Sequence, residues 1–131
     1  MLKLKKLLFV IIKFKEVYFM EIKNAKIKNV TVGLDDRDML SARMTFESQL
    51  NCCDWRFILT DPIDSQRLMK LMSYTNVYEV NNLDGKIIRI VKEDSLFRGF
   101  GDPIEDKFVL AFGEKIKEVT KEQLNELLKT K

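Results

Sequence analysis

The sequence predicts an α+β fold: a mostly antiparallel β-sheet with one central and one C-terminal helix. Three observations carry this expectation. Several stretches of β-branched and aromatic residues are separated by turn signals, and two stretches show apolar residues at helical spacing behind capping residues. Their order is hairpin, strand, helix, strands, helix, which favours antiparallel pairing over βαβ crossovers.

Residues 22–34 are β-rich, with Ile22, Ala25, Ile27, Val30 and Val32 set among Lys and Asn. The alternation fails between Ile27 and Val30, which predicts a bulge or bend there. The run "DDRD" (35–38) is a turn signal. In 39–46, Leu40, Ala42, Met44 and Phe46 face one way and Ser41, Arg43 and Thr45 the other, so the two segments read as a hairpin. Residues 47–54 read as a polar loop carrying Cys52 and Cys53, and 55–60 as a third strand ended by Asp61-Pro62. Asp64 is the expected N-cap of the central helix, with Leu68, Leu71 and Met72 on its apolar face and "SYTN" (73–76) closing it. "NNLDGK" (81–86) is a turn, 86–92 a β-branched strand, and 93–95 a polar tip. One or two further strands fall in 97–112 around Gly99, Gly101 and Pro103. Thr120 and Gln123 have capping-box spacing before the stripe Leu124, Leu127 and Leu128.

The first 19 residues, MLKLKKLLFVIIKFKEVYF, stand apart. Their uninterrupted apolar core is six residues, Leu7 to Ile12. A secretory core needs roughly 7–15 and a spanning helix about 20. A membrane-surface helix and an ordinary structured arm are two readings. The favoured one is that residues 1–19 are an upstream extension, because Lys15-Glu16-Val17 can be encoded by a ribosome-binding sequence placed just before a start at Met20. Residues 20–131 then form a single α+β ligand-binding domain.

Charge depends on that boundary. The chain carries 23 basic and 20 acidic residues, and removing 1–19 leaves 18 against 19. The basic excess therefore gives no reason to expect DNA or a membrane as partner. At about 110 residues the core is modest, so self-association adds useful burial. Adjacent cysteines rarely bridge each other, and no CxxC spacing is present. With no export signal, the expected compartment is a reducing cytoplasm. The sequence contains no His, which removes the commonest acid–base and nucleophile-activating group. A binding module is expected rather than an enzyme, with no catalytic residues, no metal and no cofactor.

The richest stretch is "RIVKEDSLFRGFGDPIEDKF" (89–108). It sets Arg89, Arg98 and Lys107 near Phe97 and Phe100, with Gly99 and Gly101 able to admit a ligand close to the backbone. Arginine pairs bidentately with phosphate, and phenylalanine stacks on nucleobases. Trp55-Arg56 is a second stacking and phosphate pair. For the aromatics, packing in the core competes with both readings. Asp94, Asp102, Glu105 and Asp106 suit a hard cation less well than solvated turns.

Three blocks, "IKNAKIKNVTVGLDDRDMLSARM" (22–44), "LDGKIIRI" (83–90) and "FGDPIEDKF" (100–108), resemble in order and spacing the phage anti-defence proteins that counter Thoeris, of the first-described, sponge type. The likeness covers residues 20–112, and its evidence is co-linearity, since each block alone is unspecific. It implies a protein that binds a cyclic ADP-ribose isomer made by a TIR-domain enzyme and holds it intact in the cytoplasm of an infected bacterial host. It also implies homodimers or hexamers (trimers of dimers), and in some members a separate site for cyclic oligonucleotides. Arg89 matches the Arg after the family's Gly-Lys turn, and Phe100-Gly101 matches its Ile-Gly step. Asp102 stands where relatives carry His or Asn, and "ESQLNCCDWRF" (47–57) replaces a Gly-rich stretch, so Trp55 and Arg56 are expected to rebuild that wall. Ligand-binding residues are thus expected at Trp55, Arg56, Arg89, Phe97, Arg98, Phe100, Gly101, Asp102 and Lys107. An inhibitor of a host defence protein and a small messenger-degrading enzyme are the competing functions.

Overall fold

A computed structural model describes residues 20–49 and 51–129; the reading of residues 1–19 as an extension lies outside the described residues. Seven strands form one sheet: β1 (Met20–Leu34), β2 (Leu40–Glu47), β3 (Cys52–Ile58), β4 (Ile87–Glu93), β5 (Leu96–Gly101), β6 (Phe108–Leu110) and β7 (Glu118–Val119). Their spatial order is β3-β2-β1-β4-β5-β6-β7, and each neighbouring pair is antiparallel. Helix α1 (Pro62–Thr75) lies between β3 and β4 in sequence, and α2 (Lys121–Lys129) ends the described chain. The fold is α+β with one central and one C-terminal helix, as the sequence pattern predicts. No described helix is long and apolar enough to cross a membrane.

Strand side chains alternate between faces, and the two faces are covered differently. On one face, Ala25, Ile27, Phe46, Phe57, Ile88, Ile90 and Phe100 pack with Leu68, Leu71 and Tyr74 of α1. On the other, Val91, Phe108 and Val119 pack with Leu124 and Leu128 of α2. Helix α2 therefore covers the β4–β7 end of the second face. Its N-terminus is a reciprocal capping box: Gln123 N donates to Thr120 Oγ1 at 3.2 Å and Thr120 N to Gln123 Oε1 at 3.0 Å. Leu127, expected in the apolar stripe, is 40% exposed at its margin.

The bulge in β1 falls where the alternation fails. The register shifts between Lys28 and Thr31, and Asn29 takes a left-handed φ of 57°, a conformation asparagine tolerates better than most residues.

Two boundaries differ clearly from expectation. Residues 52–54 belong to β3 rather than to a loop, because Cys52, Cys53 and Asp54 pair with Glu47, Phe46 and Thr45, and Thr45 Oγ1 donates to Asp54 Oδ1 at 2.8 Å. Register won over polarity there. The N-cap of α1 is Asp61, not Asp64: Asp61 accepts from Ile63 N at 3.0 Å and Pro62 occupies the first helical position, where its missing N–H costs nothing. Two short elements also went unpredicted, the two-residue β7 and a 3-10 turn at Val80–Leu83. Both are too short to show a period.

Candidate functional site

The structure divides the nine residues expected to bind ligand. Phe100 is fully buried, edge-on to Phe57 at 6.2 Å and to Tyr74 at 6.1 Å. Phe97 stacks on Phe46 at 5.2 Å, with Trp55 tilted against it at 4.6 Å. These rings form core, so neither Phe offers a free face for a base. The glycines are close-packing positions rather than openings. A Cβ on Gly101 would meet the Phe108 ring at 2.3 Å, and one on Gly99 would meet the Val109 carbonyl oxygen at 2.4 Å. Gly99→Ala should therefore cost about 1–3 kcal/mol of stability, read as a lowered urea midpoint.

The charged members of that set are engaged separately. Arg98 donates to Glu93 Oε1 at 2.6 Å and lies 5.0 Å from the centre of the Phe112 ring. Arg89 Nη2 reaches the Ile104 carbonyl at 3.4 Å. Asp102 Oδ1 accepts from Ile104 N and Glu105 N at 2.8 and 2.9 Å, closing a turn. Lys107 pairs with Glu105 at 2.8 Å, which raises its pKa. Asp106 accepts from Lys121 N at 2.7 Å. These carboxylates cap turns, and no cluster of three or more metal-ligating side chains occurs among the described residues.

Trp55 and Arg56 lead elsewhere. They line a groove of about 850 Å³ built from the β1–β2–β3 end of the sheet and the turn after β1, a size usual for small-molecule sites. Pairing sets its floor. Arg43 of β2 lies directly opposite Arg56 of β3, and Thr45 opposite Asp54, so all four project from the face opposite α1. Arg37 adds a third guanidinium, Asp36 and Asp54 two carboxylates, and Met39 and Ile58 apolar surface. The Trp55 ring turns to the core side, where its Nε1 is buried with no acceptor among the described residues.

Two like charges directly opposite across strands are destabilising. Half of this conflict is relieved by Asp35, whose side chain is 1% exposed and whose Oδ2 accepts from Arg56 Nη1 at 2.9 Å. Its Oδ1 accepts from Arg37 N and Met39 N at 2.9 and 3.0 Å. The Met39 and Arg37 amides and the Arg56 charge hold the Asp35 carboxyl below its ordinary 3.8, against an opposing effect of burial. Arg43 has no such relief: its Nε is buried without an acceptor among the described residues. An unmet buried donor is costly; this nitrogen is closed to solvent, so what Arg43 presents to the groove is the rest of its side chain.

The sign of the pH dependence follows. A depressed folded-state pKa contributes stability that is complete above the unfolded value and lost as pH falls through the folded one. Unfolding free energy should thus decline below about pH 4, where an unfolded carboxylate protonates, and Asp35→Asn should flatten that decline in acid denaturant titrations.

Sequence reasoning missed Arg37, Arg43, Asp35 and Asp36 as site residues. Arg43 was legible as solvent-side in its strand, but the β2–β3 register that sets it against Arg56 was not. No protein-family model, curated protein or solved structure matches the chain.

Proposed function

We propose that this protein is a non-enzymatic sponge: it captures a cyclic ADP-ribose-type messenger made by a TIR-domain enzyme in an infected bacterial cell, and so blocks Thoeris immunity. The observation that carries the reading is the pair Arg43 and Arg56, opposite each other and both lining one groove. A diphosphate bridging the two guanidiniums relieves their repulsion. Hydrogen bonds to charged groups contribute about 1.5–3 kcal/mol each, so two or three of them supply a large part of the roughly −12 kcal/mol of nanomolar binding. Met39 and Ile58 offer apolar contact to a ribose or adenine face. The co-linear sequence blocks support the ligand class, and the chain's lack of His suits retention without turnover. The site thus shifts from the 89–107 region to the N-terminal half of the sheet, keeping Arg56 of the expected set while the Trp55 ring serves the core.

Calorimetric titration with cyclic ADP-ribose isomers, with adenosine as the uncharged control, tests this. Saturable binding of an isomer, absent for adenosine and weakened by salt, is the expected result. Equal binding of both, or of neither, overturns it.

A further inference from the structure

Arg56 Nη1 is shared by two carboxylates of very different standing. Asp35 is buried and tied by two backbone amides, and it holds the nitrogen at 2.9 Å. Its neighbour Asp36 reaches the same nitrogen at 3.3 Å from a side chain that is 87% exposed. The first contact fixes where the guanidinium stands. The second holds a solvated side chain on it for little energy, since exposed ion pairs are worth about 0–1 kcal/mol. Among the described residues, every hydrogen bond of the Arg56 guanidinium runs through Nη1.

We infer that Asp36 is a built-in competitor: a tethered carboxylate that occupies the anion position on Arg56 until a more highly charged phosphate ligand displaces it. The inference rests on the groove being a phosphate site. Asp54 does not act the same way, because its Oδ1 accepts from Thr45 Oγ1 at 2.8 Å, which turns that oxygen toward the strand ladder.

Competition of this kind sets a threshold, because every anion that takes the place of Asp36 loses the same factor in affinity. An incoming monoanion exchanges one negative charge for another at Arg56 and gains little. A diphosphate displaces Asp36 and still has charge left for Arg43, which lines the same groove. Preference for a diphosphate then comes from Arg43 and Arg56 together, and the uniform cost of displacing Asp36 keeps weakly bound monoanions out of the groove. Asp36 itself does not touch the bound ligand.

The test compares the whole chain with its Asp36→Asn variant, titrated with inorganic pyrophosphate, inorganic phosphate and a cyclic ADP-ribose isomer at low salt. The variant keeps the Asp35 anchor, so its melting temperature should match wild type. Pyrophosphate should bind the variant about fivefold more tightly, the factor that losing a competing pair of this kind allows. Phosphate should gain by a similar factor, leaving the preference between the two anions unchanged, and 0.5 M salt should erase both gains. Unchanged affinities in the variant, or pyrophosphate failing to bind either protein, overturns the inference. Failure of the sponge reading looks different: pyrophosphate binds and tightens in the variant while the cyclic ADP-ribose isomer binds neither.

Discussion

Replacing Arg67 by methionine is expected to lower the unfolding free energy by about 3–5 kcal/mol, the range found when one partner of a buried ion pair is removed. Arg67 is 5% exposed. Its Nε donates to the Leu110 carbonyl at 3.2 Å, its Nη2 to the Gly113 carbonyl, and its Nη1 to Asp64 Oδ1 at 3.1 Å. Asp64 in turn accepts from Ile58 N at 2.7 Å through its other oxygen. One guanidinium thus joins α1 to the end of β6 and the segment that follows it, and its partner joins α1 to the end of β3. Methionine fills the volume but leaves a carboxylate with 13% of its surface in water and two carbonyls without this donor. Lysine cannot replace it, because a single ammonium does not span three acceptors in a plane. Urea denaturation of Arg67→Met, Asp64→Leu and the double variant checks this. The double variant should be more stable than the sum of the two single losses predicts. Strict additivity would mean that the two side chains act independently.

Alanine at Arg43 or Arg56 is expected to weaken retention of a cyclic ADP-ribose isomer by about 10- to 100-fold each, from the 1.5–3 kcal/mol assigned to a charge-assisted hydrogen bond. The two substitutions should differ in what they do to the fold. Arg43→Ala removes one of two like charges set opposite each other, so its stability should hold or rise. Arg56→Ala strands the buried Asp35, which then lacks its cation, and stability should fall. Binding lost with stability retained in Arg43→Ala separates a ligand-holding role from a structural one. Arg89→Ala is the control, since Arg89 lies outside the groove lining and its single long contact to Ile104 is exposed.

Much of the fold was legible because local signals agreed with the final packing. The β1 bulge, the α2 capping box, the α1 stop at Asn76 and the Asp84-Gly85 turn each rest on a few neighbouring residues whose conformational preferences were met. The start of β3 was not legible, because Cys52 and Asp54 are strand residues only through pairing with Glu47 and Thr45. Site legibility followed the same division. Spacing along the chain suggested that Arg89, Phe97, Arg98, Phe100 and Lys107 converge. The sheet instead buries both rings and gives Arg98 and Lys107 acidic partners nearby in sequence. What does converge is Arg43 with Arg56, thirteen positions apart and matched only by register. Trp55 and Arg56 are neighbours in sequence yet serve opposite faces, the first the core and the second the groove. A pair of adjacent residues cannot both stack and clamp from one strand, which is why that pairing resolved into one site residue and one core residue.

The most direct test of capture without chemistry is to incubate the protein with a cyclic ADP-ribose isomer, remove free ligand, denature by heat, and identify by mass spectrometry what is released. Recovery of the unaltered nucleotide from wild type, and its loss from Arg43→Ala, is the predicted result. A hydrolysed product in the supernatant, or no nucleotide retained by wild type, would contradict the account.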